Sequence, residues 1–241
     1  TDQEEAARTF QKYDFTVMPV VDTENRMVGI ITVDDVIDII EEETTEDIEK
    51  MAAILPTDKP YFRVGVLETY QKRMPWLLLL MISATFTGAI ITSFEDALSS
   101  YVVLTAYIPM LMDTGGNAGS QSSVSVIRGI SLNEIEFSEL LKVVWKEFRV
   151  SILCGITLAV TNFVKLLLID RIPIPVALVV SITLVAVIVS AKFVGCVLPL
   201  CAKKIGFDPA VMASPMITTI VDALALLVYF QTATHILHLA A

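Results

Sequence analysis

The sequence predicts a mainly α-helical membrane protein, with a five-helix transmembrane domain preceded by a partial α/β segment and a connecting helix. Three observations carry that prediction. Of the 241 residues, 54% are hydrophobic and the mean hydropathy is +0.68, too apolar for an ordinary soluble domain. Five apolar segments come near the ~20 residues that a helix needs to cross a bilayer. Charge is also segregated: 16 of the 27 acidic residues but only 5 of the 17 basic ones fall within the first 60 positions, so an acidic segment of net -11 precedes a remainder of net +1.

That segregation argues against nucleic acid or anionic headgroups as partners of the first segment, because both need a basic surface. Cations are its natural partners. Cys154, Cys196 and Cys201 lie in or beside apolar runs without metal-ligand spacing, so neither a disulfide framework nor a zinc site is expected. The first long apolar run begins only at Trp76, so no cleavable leader is expected, and Thr1 reads as an internal start.

Taken in order, residues 1–42 read as a short α/β unit. Asp2 to Tyr13 has helical spacing with Ala6, Ala7 and Phe10 on one face. Val17–Val21 and Met27–Thr32 are β-branched runs separated by turn residues Asp22, Glu24 and Asn25, and Asp34 to Ile40 returns to helical spacing. Residues 43–75 form a connecting segment: EEETTEDIEK, which begins at Glu41, has helix-forming composition, Pro56, Asp58 and Pro60 interrupt it, and Pro60 to Arg73 is an amphipathic lead-in. Residues 76–241 hold the five expected spans, Trp76–Phe94, Ala97–Met112, Phe148–Ile169, Pro175–Cys201 and Ala210–Leu239. Arg128, Lys142, Lys146, Arg149, Lys203 and Lys204 cluster in the loops after spans two and four, whereas the opposite loops carry Glu95, Asp96, Asp170 and only Arg171. The basic side is expected to be cytoplasmic, with the N-terminus inside and the C-terminus outside the cell membrane.

Two constellations carry chemistry. Asp222, in TTIVDALALLVYF, is expected to be the one carboxylate deep in a span, where a charge costs at least ~2.5 kcal/mol and marks an ion pathway more often than a structural partner. Ser214, Pro215 and Thr218 share its helical face, while Val221, Leu224 and Leu227 point elsewhere. Pro215 is expected to leave the Val211 carbonyl without its helical donor. The stripe offers oxygen only, the ligand set of a hard cation. In PMLMDTGGNAGSQSS, Gly115, Gly116, Ala118, Gly119 and Ser120 remove side-chain bulk, and Asn117 and Gln121 add amide oxygens. This is either a cavity-lining stretch or a tight helix-packing seam. No Gly-Lys-Ser/Thr closes it, so it is not a phosphate loop, and no nucleophile–base set supports an enzyme. Lys192, inside span four, either snorkels to the interface or pairs with an acid. His235 and His238 share a face but lack a third ligand.

MPVVD followed by MVGIITVDDV resembles the second half of a CBS domain, a regulatory module usually found in pairs. The opening strand and partner repeat of that family are missing, so no nucleotide site is expected here. With the EEETTEDIEK helix, the glycine-rich stretch, GFDPAVMASP and TTIVDAL, essentially the whole chain resembles the MgtE family of magnesium channels. The resemblance implies a homodimer in the membrane that conducts Mg²⁺ and related divalent cations along its two-fold axis, with spans two and five as the lining. It places the pore aspartate at Asp222, beside the Thr218 backbone. It also implies cytosolic Mg²⁺-sensing carboxylates at Asp35, Asp38, Glu43, Glu46, Asp47 and Asp208, with further acidic positions at Glu4, Asp14 and Glu147. Like charges at Glu43, Glu46 and Asp47 crowd one helix face, which is either a solvated surface or a cation site. Divalent ions bridging it to Asp208 would hold the gate closed. The competing readings are an ion-coupled secondary transporter in which Asp222 and Lys192 exchange partners, and a non-transporting membrane sensor.

Overall fold

The computed structural model describes residues 2–57, 59–95, 99 and 101–238, with the backbone alone at Ser214. Asp58, Asp96, Ala97 and Leu239, which figure in the expectations above, lie outside the described residues. The chain is mainly helical with one small sheet and divides into two compact units. One is built on residues up to 50 together with 54–72, the other on 51–53 together with residues from 73 onward.

In the first unit, α1 (Gln3–Tyr13) is capped by Asp2, whose side chain accepts from the Glu4 amide, and ends at Asp14 in the left-handed conformation. Strands β1 (Val17–Val21) and β2 (Met27–Thr32) pair antiparallel, with Val17 opposite Thr32 and an irregularity between Val20 and Val21. The Asp22 carboxylate closes the hairpin, accepting from the Glu24 and Arg26 amides at 2.9 Å each and from Arg26 Nε at 3.0 Å. Those bonds, the Arg26 amide first, hold its carboxyl below the usual range. Helix α2 (Val33–Met51) starts where Thr32 donates its amide and hydroxyl to Asp35 Oδ2 at 2.8 and 2.7 Å. Ala7, Phe10 and Val36 form the buried centre, covered by Met18, Ile31, Ile39 and Ile40. The helical face expected for Ala6, Ala7 and Phe10 is the buried one.

Helix α3 (Val66–Ser93) is longer than its expected span, because the lead-in and the apolar run are one helix that passes through Pro75. A 3-10 turn at Val102–Tyr107 precedes α4 (Ile108–Ser131). Here the expected second span, Ala97–Met112, is corrected. The helix begins about where that span was to end, and the glycine-rich stretch lies within it. Each glycine disfavours helix by about 1 kcal/mol relative to alanine, so tertiary packing overrides propensity there. Helices α5 (Leu140–Leu168), α6 (Ile174–Lys204) and α7 (Ser214–Leu237) follow. A 3-10 turn at Pro209–Met212 and an extended Ala213 separate α7 from Asp208, so the fifth segment is not a continuous helix from Ala210. Pro215 therefore sits in the first turn of α7, where a missing N–H leaves no helical carbonyl deprived. The Val211 carbonyl, which Pro215 cannot serve, belongs to the preceding 3-10 turn rather than to α7.

Among the described residues, four helical segments are long and apolar enough to cross a membrane: Val66–Ser93, Phe137–Leu168, Ile174–Lys204 and Pro209–Leu237. Helix α4, diluted by its polar and glycine residues, falls below that threshold. Helix α6 runs through the middle of this unit, with Ala177, Val180, Ile188 and Ala191 fully enclosed. Tyr229 on α7 donates to the Leu104 carbonyl at 2.9 Å, and Phe230 stacks on Phe94 at 4.8 Å.

Among the described glycines, the closest approach is between α4 and α6. A Cβ on Gly195 would collide with the Gly119 carbonyl, whereas one on Gly88 of α3 would meet nothing within 4 Å. Gly195→Leu should therefore destabilise the protein by at least ~3 kcal/mol, at the upper end of overpacking costs, while Gly88→Leu should be near neutral. Thermal unfolding in detergent micelles distinguishes them, and equal midpoints would contradict this packing.

Candidate functional site

The site is built on the two faces of α4. The inner face is made of small residues: a Cβ on Gly115 would lie 2.6 Å from Val187 and 2.9 Å from Val221, and one on Gly119 would lie 2.7 Å from Ile217 and 3.1 Å from the Ala191 carbonyl. Gly116 faces Thr218 in the same way, at 3.0 Å from its methyl group. The seam thus brings Thr218 of α7 directly against α4. Of the two readings of the glycine-rich stretch, the packing seam holds for this inner face.

The outer face is polar. Asp113, Asn117, Gln121, Ser125 and Arg128 recur at helical spacing and are exposed. Asp222 lies nine residues into the 24-residue α7, half-buried, and the Asp113 carboxylate is within electrostatic range of it. Asp113 is a second acid of this region, one that sequence reasoning had not singled out. It was legible in principle: it stands four residues before Asn117, on the same helical face. Thr218 and Thr219 both donate their hydroxyls to the Pro215 carbonyl at 3.0 Å. Val221 and Thr218 of α7 thus meet Gly115 and Gly116 of α4, with Asp222 next along α7 and Asn117 on the outer face of α4. Ser214 and Pro215 begin the same helix two turns below Asp222, while Val221 is buried against the α4 glycines.

A buried ion pair backs the seam. Lys192 on α6 places Nζ 3.5 Å from Glu147 Oε2 on α5, and both side chains are largely enclosed. Ser122 on α4 donates to the same Glu147 oxygen at 2.8 Å and lies 3.3 Å from the Lys192 carbonyl. Snorkelling, the first of the two readings of Lys192, gives way to the ion pair, because Glu147 offers a charge partner within the helical unit. Glu147, an acidic position implied by family resemblance, is here the link between α4, α5 and α6.

The acidic residues of the first unit divide over α2. Asp38 and Glu46 line a cleft of about 460 Å³ together with Glu41, Glu42 and Glu49, which sequence reasoning had not singled out. Spacing of three and four residues along α2 could have found them. Glu43 lies outside that lining and accepts from Gln3 Nε2 at 2.7 Å, and Asp47 also lies outside it. Glu46 pairs with Lys50, and Glu4 pairs with Arg8. Thr32 holds the Asp35 carboxyl below the usual range, first through its amide and then through its hydroxyl. Asp14 terminates α1. Asp208 caps the Pro209–Met212 turn, accepting from the Ala210 amide at 2.8 Å. Among the described residues, no three His, Cys, Asp or Glu side chains converge on a point where a metal ion could sit.

Residues 108–232 match the MgtE family, described as divalent cation transporters, and residues 1–42 match the CBS domain. The chain is 39% identical over 233 residues to the magnesium transporter MgtE of Thermus thermophilus, covering 97% of this chain and 51% of that protein. It is 38% identical over 244 residues to the magnesium transporter MgtE of Bacillus subtilis, with 98% and 52% covered. Against that of Enterococcus faecalis it is 31% identical over 235 residues, with 97% and 51% covered. The chain thus spans about half the length of the curated relatives it matches.

The ion pair sets a test of its own. Lys192→Met strands a buried carboxylate and should cost about 3–5 kcal/mol, whereas Lys192→Met combined with Glu147→Leu should recover most of that loss. Chemical unfolding of the purified variants measures both. A double variant no better than the single one would show that the pair is not the source of the cost.

Proposed function

The chain belongs to the MgtE family of divalent cation transporters, and on that premise we propose that it forms the membrane pathway of a passive, gated Mg²⁺ channel rather than an enzyme. The observation that carries this reading is a half-buried carboxylate, Asp222, one turn beyond the Thr218 that packs on α4, whose other face carries the exposed polar stripe of Asp113, Asn117 and Gln121. Mg²⁺ sheds its waters reluctantly and is commonly held by one or two carboxylates through retained water. In a homodimer with α4 and α7 facing the two-fold axis, each copy supplies one such set, and the exposed stripe of α4 becomes the wall of an aqueous path. Counting α4 as a crossing helix gives five spans, with the N-terminus cytoplasmic and the C-terminus external, in keeping with the basic loops. The relatives' printed role as magnesium transporters supports Mg²⁺ as the cargo.

The chain divides, on this reading, into a partial CBS segment over residues 1–42, a connecting segment over 43–75 and the transmembrane domain over 76–241. The acidic side chains of the first two, at Glu4, Asp14, Asp35, Asp38, Glu43, Glu46 and Asp47, together with Asp208, sense cytosolic Mg²⁺. Glu147 is the least suited to sensing, because Lys192 already neutralises it. A ligand moves a gate only by its differential affinity for the two states, so several weak sites that fill in the closed state alone give a steep response. A coupled transporter that exchanges Asp222 between partners finds less support, since Lys192 is committed to Glu147 rather than to Asp222.

Removing the Asp222 charge with Asp222→Asn should lower Mg²⁺ flux into liposomes at least about tenfold, equivalent to ~1.4 kcal/mol or more on the permeating ion, while the protein stays folded. Normal flux through a folded Asp222→Asn protein would overturn the pore role. Neutralising Glu43, Asp47 and Asp208 together should leave the pathway open at cytosolic Mg²⁺ levels that shut the unmodified protein. Unchanged closure in patch-clamp records would reduce those carboxylates to a solvated surface.

A further inference from the structure

A groove of about 710 Å³, with no lining residue from α4, lies on the flank of the helical unit between α5, α6 and α7. Leu141, Val144, Trp145, Phe148, Phe193 and Leu224 line it. Its size is that of a small-molecule site, about 300–1,000 Å³. Its walls are apolar, yet one edge is basic: Lys142, Lys146 and Arg149 follow helical spacing with Trp145 on α5, all four exposed. Trp145 stacks on Phe148 at 5.7 Å, and the Arg149 guanidinium lies 5.8 Å from the Trp145 ring.

The acidic groups near that edge do not cancel it. Glu139 pairs with Lys142 at 3.1 Å, and Glu147 is turned inward to Lys192 and Ser122. Lys146 and Arg149 remain as positive charge beside an apolar trough and a tryptophan suited to the membrane interface. We propose that this groove binds an acidic glycerophospholipid, its acyl chain along Leu141, Phe148 and Phe193 and its phosphate at Lys146 and Arg149. Charge complementarity selects the occupant: an apolar trough alone accepts any lipid chain, and the basic edge favours an anionic headgroup by roughly a few-fold per cation. The site is independent of the transport reading, although its wall holds the residues flanking Glu147 and Lys192, so a bound lipid would press on the helices that carry the buried pair.

The sequence contains two tryptophans, Trp76 and Trp145. In the full chain with Trp76→Phe, Trp145 alone reports on the groove through quenching by bromine-labelled acyl chains. The variant is reconstituted in phosphatidylcholine vesicles doped with brominated phosphatidylglycerol or with brominated phosphatidylcholine. Half-maximal quenching should need about tenfold less of the acidic lipid, as two basic groups at the headgroup would give. The added changes Lys146→Gln and Arg149→Gln should abolish that preference while leaving quenching by the neutral lipid. Equal quenching by both lipids in the parent would remove headgroup selection. A Trp145 that neither lipid quenches would mean that protein, such as a second copy of the chain, covers the groove. A preference that survives the two glutamines would put the headgroup elsewhere. Each of these three results overturns the proposal.

Discussion

The close approach of α4 to α6 and α7 is the constraint on which the membrane unit depends. Gly119 and Gly195 let two backbones touch, and Gly115 and Gly116 do the same against Val187, Val221 and Thr218. Without a hydrophobic drive between helices in lipid, such close packing is a main source of association. Once the small face of α4 is turned inward, its 3.6-residue period leaves Asp113, Asn117 and Gln121 no choice but to face outward. One packing decision thus creates both the seam and the polar stripe, and it brings Thr218 and Asp222 beside them.

Charge is distributed around that seam in two different ways. Lys192 and Glu147 neutralise each other in the interior and, with Ser122, tie three helices at one level. A buried pair of this kind adds little net stability but is costly to break, which suits a device that fixes the register of α4. Asp113 and Asp222 have no such neutralising lysine among the contacts described, and two carboxylates in electrostatic range repel unless a cation is near. The first pair is closed by its own partner, and the second lies on the proposed cation path.

Much of this was legible in the sequence, for physical reasons. The apolar runs gave α6 nearly in full and α5 from Phe148 onward, without its first two turns, and β-branched runs around Asp22 gave the hairpin, because periodicity and turn chemistry are local. The placement of α4 was not local. Glycine and polar residues lower both helix propensity and hydropathy, so the stretch from Asp113 to Ser125 reads equally as cavity lining or packing seam until α6 and α7 supply the surfaces that hold it helical. Pro215 misled in the opposite direction: its residue type signals a break, but only the start of α7 at Ser214 shows that it sits where proline costs nothing. The partner of Lys192 was equally beyond reach, since Glu147 is 45 positions away and meets it only through helix packing. On α2, by contrast, Glu41, Glu42 and Glu49 were available from spacing alone.

The central claim is that the outer face of α4 borders water and a cation while its inner face does not. Single cysteines at Asn117 and at Ala118, in a background without Cys154, Cys196 and Cys201, place one thiol on each face. A membrane-impermeant cationic thiol reagent should modify Asn117→Cys in reconstituted protein, more slowly when Mg²⁺ is present, and should leave Ala118→Cys intact. An Asn117→Cys thiol that reacts only with lipid-soluble reagents, at a rate indifferent to Mg²⁺, would contradict the account.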